Sequence, residues 1–333
     1  MPAPTPATSP DDGRHRQVEV VGTLGADELA AVAALVEAAT EVDGVRPLSE
    51  HAMLHLRYGG DALVRNLMVY EDGELAAYGH LDPTDLASGA SAEVVVHPGR
   101  RGAGLGRLLV QAALDTVPDG RLRLWAHGDH PAAAALAASM GFTRVRALWQ
   151  MRRSLYAALP RVPTPDGVTV RTFSPGVDDD AWLRLNAEAF RDHPEQGTWT
   201  SEDLQRRMAE PWFDPAGFFL AERDGRLVGF HWTKVHGGTA GDDSAVDHGH
   251  EAIGEVYVVG VAPSEHGRGL GKALTVVGLQ HLRQRGLPDA MLYVEADNRA
   301  AVRLYTGLGF TRWETDVMFS REPASDASSA EPA

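Results

Sequence analysis

Two strand-to-helix junctions built on alternating glycines constrain this chain more than any other feature. "VVVHPGRRGAGLGRLL" (94–109) and "VVGVAPSEHGRGLGKAL" (258–274) each pass from a β-branched stretch through a proline into Gly-x-Gly-x-Gly and an apolar, helix-like run. Glycines at such a junction admit positive φ and let a ligand approach the backbone closely. Amides at the start of the following helix offer aligned N–H donors and the positive end of the helix dipole, a combination suited to phosphate. A single turn of this kind is as well explained by tight packing. Two copies, each with basic residues in the loop, favour an anionic ligand.

The flanks repeat as well. "LRLWAHGDHPAAAALAASMGFTRV" (122–145) parallels "AMLYVEADNRAAVRLYTGLGFTRW" (290–313): strand, turn, short helix, closing Gly-Phe. Upstream, "MVYEDGELAAYGHL" (68–81) parallels "LAERDGRLVGFHWT" (220–233), and both read as β-hairpins turning at Asp-Gly. The period is domain-sized, so one fold occurs twice. The opening helices are expected at 23–40 and 178–190. The order predicts α/β halves, each a mixed sheet of α+β type. The expected boundaries are a disordered arm at 1–15, a first domain at 16–158, a Pro-rich linker at 159–167, a second domain at 168–321 and a disordered tail at 322–333.

Composition narrows the ligand. The formal charge of −15 speaks against a nucleic-acid partner, and an anionic ligand must then be met by local donors. There is no cysteine, hence no thiol nucleophile or thiolate metal site. No run of about 18 apolar residues suggests a membrane partner, and "MPAPTPATSPDDGRHR" lacks the apolar core of a signal peptide, so a cytoplasmic location is expected. Only two of the 31 basic residues are lysines, Lys234 and Lys272, and the latter lies in the second glycine ladder.

The ladder fails two common phosphate motifs. A Walker loop needs glycine where His266 stands and Ser or Thr where Ala273 stands. The spacing after Gly269 and Gly271 does not fit the dinucleotide fingerprint. "RGAGLG" (101–106) and "HGRGLG" (266–271) instead resemble the Arg/Gln-x-x-Gly-x-Gly/Ala loop of the GNAT-type N-acetyltransferases, with histidine replacing the usual residue in the second copy. That resemblance implies acetyl-CoA as co-substrate, its pyrophosphate on the loop and its pantetheine arm along the preceding strand. It also implies a strand carboxylate as base and a tyrosine in "Asn-x-x-Ala-x-x-x-Tyr" as acid. The second half supplies Glu255 in "GEVYVVGVAP" and Asn298, Ala301 and Tyr305 in "DNRAAVRLY". Gly260 is expected to mark a bulge or splay in the strand. Aligned by Pro98 and by its Gly-Phe, the first half has Ala90, His130 and Ala137 at these places, so catalysis is expected in the second half alone.

The stretches "VDGVRPLSEH" (42–51), "DHPEQGTWT" (192–200), "GFHWTKVH" (229–236) and "LYVEADNRAAVRLY" (292–305) resemble, with the rest of the chain, the mycothiol synthase family of tandem acetyltransferases. The resemblance implies acetylation of the cysteinyl amine of a cysteine–glucosamine–inositol conjugate, a small thiol-sugar partner. Carried over residue by residue, it implies substrate contacts at Glu50, Glu195, Lys234, Glu255 and Tyr293. It implies acetyl-CoA contacts at Val259, Gly260, Val261, His266, Gly267, Arg268, Gly269, Leu270, Gly271 and Lys272. Asn298, Arg299, Ala300, Ala301, Val302 and Arg303 complete that cradle. A second cradle would use Val94, Val95, Val96, Gly102, Ala103, Gly104, Leu105, Gly106 and Arg107.

The histidines are scattered, and the one His-x-x-x-His pair, His51 and His55, has Ala52 where a zincin carries its glutamate, so no metal is expected. The stretch 236–251 reads as a surface insertion, a passive loop or a flap over the acceptor site. A monomer is expected, internal duplication standing in for dimerisation. Two other readings stay open: an acetyltransferase for another amine, and a non-catalytic acyl-CoA sensor.

Overall fold

The computed structural model describes residues 16–59, 62–84, 89–236 and 252–322. The expected arm at 1–15, most of the tail and nearly all of the insertion at 236–251 lie outside these. The first half runs β1 (Glu19–Val21), α1 (Ala26–Asp43), α2 (Glu50–Tyr58), β2 (Arg65–Glu71), β3 (Glu74–Asp82), β4 (Ala90–Val96), α3 (Leu105–Thr116), β5 (Leu122–Ala126), α4 (Pro131–Ser139) and β6 (Thr143–Ser154). The second runs β7 (Val168–Thr172), α5 (Asp179–Ala189), α6 (Pro194–Gly197), α7 (Ser201–Met208), β8 (Phe218–Arg223), β9 (Arg226–His236), β10 (Ile253–Val261), α8 (Leu270–Gln284), β11 (Asp289–Glu295), α9 (Arg299–Gly307) and β12 (Thr311–Arg321). Both Asp-Gly turns close hairpins as the sequence predicts. Asp72 and Gly73 have φ of 55° and 83°, Asp224 and Gly225 of 51° and 72°. Two successive positive φ values match the right-handed twist of the strands they join.

Contacts divide the chain into two compact units. One holds the described residues up to Trp125 with Ala135–Thr143; the other holds Ala126–Ala134 and Arg144–Phe319. In the first, strands β1 to β5 lie in sequence order. In the second the order is β12-β6-β11-β10-β9-β8-β7. Thus β6, which closes the first half in sequence, pairs antiparallel with β11, Tyr293 opposite Gln150. Met151 and Leu155 accordingly join the second unit's core with Leu279, Leu292 and Phe310. We retain 16–158 and 168–321 as a proposal for the duplicated halves; the compact units cut the chain elsewhere because this strand is hydrogen-bonded outside its own repeat.

Helix α1 follows its apolar spacing. Val32, Leu35, Val36 and Ala39 share one face and pack on Met68, Tyr78 and Val95. Each large side chain so buried is worth about 1.5–3 kcal/mol. In the second unit an aromatic cluster holds α5 on the sheet: Trp182 lies edge-on to Phe218, Phe230 and Trp232, with centroids 5.3–5.8 Å away. No helix among the described residues is long and apolar enough to cross a membrane.

One buried group ties this core to pH. His231 on β9 is fully enclosed, with Nδ1 2.8 Å from the Leu274 carbonyl, and a Cβ on Gly278 of α8 would collide with its ring. Burial pushes its pKa down from 6.5 to about 4. Between those values the unfolded ring holds a proton that the folded ring refuses, so stability falls as pH drops through this window. We expect urea unfolding to show a loss of about 2 kcal/mol from this group between pH 7 and 5. A His231→Gln chain with an unchanged pH slope would refute the assignment.

Candidate active site

The two glycine junctions have nearly the same backbone. Gly102 and Gly104 have φ of 77° and 87°; Gly267 and Gly269 have 77° and 83°. A side chain at any of the four would meet nothing within 4 Å, so the left-handed conformation and not crowding demands glycine. Gly104 and Gly269 are the N-caps of α3 and α8, and their carbonyls accept from Leu108 and Ala273, each at 3.1 Å. The amides of 105–107 and 270–272 precede the first intrahelical donor. Each loop therefore offers a row of N–H groups at an open surface, which fits a diphosphate.

The residue heading each loop has a bracing role. Arg101 Nε donates to the Val96 carbonyl at 3.2 Å, and His266 Nε2 lies 3.0 Å from that of Val261. Histidine thus reproduces the tie made by arginine, and the unusual His266 leaves the loop intact. Arg268 and Lys272 are exposed on the second loop; Arg107 is exposed beyond the first, and Arg16 donates to the Ala103 carbonyl there. Arg16 also pairs with Glu71, Arg107 donates to Ser139 and Arg268 lies 3.6 Å from Glu265.

The preceding strands open where a ligand arm would lie. The parallel ladder of β4 with β5 spans Ala90–Glu93, and β4 continues to Val96. The ladder of β10 with β11 spans only Ile253–Glu255, and β10 continues to Val261. Val94–Val96 and Val259–Val261 therefore run past the end of the pairing. The bulge in β10 lies between Val256 and Val258, so Tyr257 is the extra residue. This corrects the expectation placed on Gly260, which is glycine because a Cβ there would strike the Phe230 ring. The bulge also shifts the comparison of the halves by one position. Glu255 lies opposite Lys234, and the matching pair in the first half is Ser91 opposite Asp82, so the counterpart of Glu255 is Ser91 and not Ala90.

Strand register gathers the second half's polar groups on one face. Lys234 and His236 alternate on β9, Glu255 is paired with Lys234, and Tyr293 follows Met291, the β11 partner of Glu255, by two residues. Glu255 is buried, and its Oε2 is 2.6 Å from His236 Nε2. Lys234 is buried too, its Nζ 4.5 Å from the Trp212 ring centre and 5.4 Å from that of the bulged Tyr257. Arg207 holds the Tyr257 hydroxyl at 2.9 Å. Gln150 donates to the Tyr293 hydroxyl at 2.9 Å, leaving the phenol proton to be given elsewhere. Burial, then the charge of Glu255, pushes Tyr293's ionisation upward, while 42% of the residue's surface stays exposed.

Asn298 caps α9 by accepting from the Ala301 amide at 3.0 Å, and His130 does the same for Ala132 in the first half at 3.2 Å. Arg299, Ala300 and Arg303 are exposed on α9, while Ala301 and Val302 pack inward beside Tyr305. Tyr305 and Val259 press on the same apolar cluster, and Tyr305 stands edge-on to Phe310 at 5.9 Å. Burial raises the Tyr305 pKa to about 12, so it carries its proton at neutral pH. Glu50 opens α2 behind the cap residue Ser49. Glu195 lies in α6, but its side chain is outside the described residues. Sequence reasoning missed His236 and Gln150. His236 was within reach, because alternation along "HWTKVH" puts it on the face of Lys234; Gln150 was not, because nothing local shows where β6 pairs.

A model of the acetyltransferase (GNAT) family matches residues 31–142 and 180–310. Mycothiol acetyltransferases from Thermobispora bispora and Streptosporangium roseum are 61% and 56% identical over 92% of this chain, covering 99% and 100% of their own lengths. The chain belongs to the mycothiol acetyltransferase family of tandem GNAT proteins. The enzyme also resembles a crystal structure of a GCN5-related N-acetyltransferase from Sphaerobacter thermophilus, with TM-score 0.66 and 29% identity, over 92% of this chain and 95% of that one. A tandem GNAT protein of the clavulanic acid pathway shares the fold with TM-score 0.69 at 20% identity, over 93% of this chain and all of that one.

Proposed function

We propose that this enzyme transfers the acetyl group of acetyl-CoA to the cysteinyl amine of a cysteine–glucosamine–inositol conjugate, the final step of mycothiol biosynthesis. The relatives' shared name supports the substrate. The observation that carries the chemistry is the buried Glu255, held by His236 and facing Lys234, where the β10–β11 ladder ends.

In this reading the diphosphate rests on the amides of Gly267–Lys272 and the pantetheine arm extends along Val259–Val261. Glu255, directly or through water, takes a proton from the α-ammonium of the acceptor, whose pKa near 8 asks little of a carboxylate. The amine nitrogen attacks the thioester carbonyl, a C–N bond forms, and amides of β10 receive the oxyanion. Collapse breaks the C–S bond, Tyr305 gives its proton to the departing thiolate, and the second proton, lost from the acylated nitrogen to solvent, returns the phenolate to phenol. Lys234, Tyr293 and Glu195 would hold the sugar and inositol hydroxyls by hydrogen bonds, charge-assisted at Lys234 and Glu195. Val94–Val96 and Gly102–Arg107 would form a second acetyl-CoA cradle that has no base at Ser91 and no phenol at Ala137.

The test is release of CoA from acetyl-CoA with the cysteinyl conjugate beside glucosamine–inositol lacking cysteine. Turnover of the first alone is expected. Equal turnover of both, or of neither, would defeat the assignment.

A further inference from the structure

The first unit holds a polar cluster for which acetyl transfer has no use. His51 and His55, four residues apart on α2, face the end of β3. Ligand-capable atoms of His51, His55 and Asp82 all lie within 4.8 Å of one another, the one such trio among the described residues. His51 Nε2 is 2.8 Å from Asp82 Oδ2. The other oxygen of Asp82 is held by the Thr84 amide at 2.9 Å, which aims Oδ2 at the histidines. His55 Nδ1 is 3.2 Å from Nε2 of the buried His80. Asp82 and His55 are thus each held by a group behind them, as metal ligands generally are.

We propose that His51, His55 and Asp82 bind a late first-row divalent cation, with Zn²⁺ the best match. Two imidazoles and one carboxylate are donors of intermediate softness that such ions prefer over Mg²⁺ or Ca²⁺. Ligands at about 2.0–2.1 Å around a tetrahedral zinc stand about 3.4 Å apart. The trio needs a contraction at its widest and a slight opening between His51 and Asp82, where the ion displaces a hydrogen bond. The His51 side chain is 52% exposed, so solvent reaches the site and a fourth position stays open for water or an anion.

Position in the repeat adds meaning. Asp82 lies ten residues beyond the turn residue Asp72, and Lys234 lies ten beyond Asp224. Register agrees, since Asp82 faces Ser91 as Lys234 faces Glu255. The place that carries the ammonium and carboxylate in the second half therefore carries a carboxylate among imidazoles in the first. The duplicated pocket has been given donors for a cation.

The test uses the full chain without a histidine tag, stripped with chelator, and titrated calorimetrically with ZnCl₂ and by visible absorption with Co²⁺. One equivalent of each and a d–d band are expected. His51→Gln and His55→Gln should each weaken Zn²⁺ binding about tenfold or more, while His130→Gln leaves it unchanged. Because His51 is half exposed, its replacement spares the fold, and thermal unfolding without metal checks this for both variants. Absence of saturable uptake, or uptake that neither variant weakens, would overturn the proposal. The readout is binding, so it stands apart from acetyl transfer.

Discussion

Glu255→Gln is expected to lower kcat for acetyl transfer by about 10²–10⁴-fold while leaving acetyl-CoA binding nearly unchanged. Glutamine keeps the size and the hydrogen-bonding reach but cannot take a proton. The loss should shrink as pH rises through the acceptor's own pKa, because an amine already neutral needs no base. His236, bonded to Glu255 at 2.6 Å, would act through it as a positioning residue in the proposed mechanism. His236→Ala should therefore cut kcat less than Glu255→Gln does, and His236→Gln should recover part of the loss, since an amide N–H donates where the imidazole did. Stopped assays across pH 6.5–9.5 with the three variants decide the matter. A Glu255→Gln enzyme with wild-type turnover removes the carboxylate from the mechanism, and identical losses in both His236 variants remove its positioning role.

Tyr305→Phe should be nearly as severe, about 10²-fold or more in kcat, for a different reason. The ring is half-buried on α9 beside Phe310, and burial holds its pKa at about 12. It is protonated whenever a thiolate leaves, and phenylalanine fills the same volume without that proton. Stability should scarcely change, whereas the rate defect should diminish with an acetyl thioester whose thiol is more acidic and departs unaided. Equal defects with both donors would assign Tyr305 to packing.

Much of this was readable in the chain. The Asp-Gly turns, the paired glycine junctions and the helix-capping Asn298 are local features, set by φ preferences and by hydrogen bonds a few residues long. They carried the fold class and the cradles. What escaped depends on partners distant in sequence. No local pattern tells that β6 pairs with β11, and so Gln150 beneath Tyr293 was invisible. The partners of His51 and His55 on α2 were out of sight because Asp82 and His80 come to them from β3. The bulge was misplaced at Gly260 because a glycine suggests slack, whereas a bulge is a property of register and falls on an aromatic residue here.

That extra residue at Tyr257 sets a condition on protein engineering. Grafting the catalytic side chains of one repeat onto the other by substitution alone would keep a continuous, evenly paired ribbon at β4. The transplanted carboxylate would then lack the aromatic wall that Tyr257 raises beside Lys234. Giving the first repeat the same wall calls for lengthening the chain by one amino acid before any side chain is exchanged.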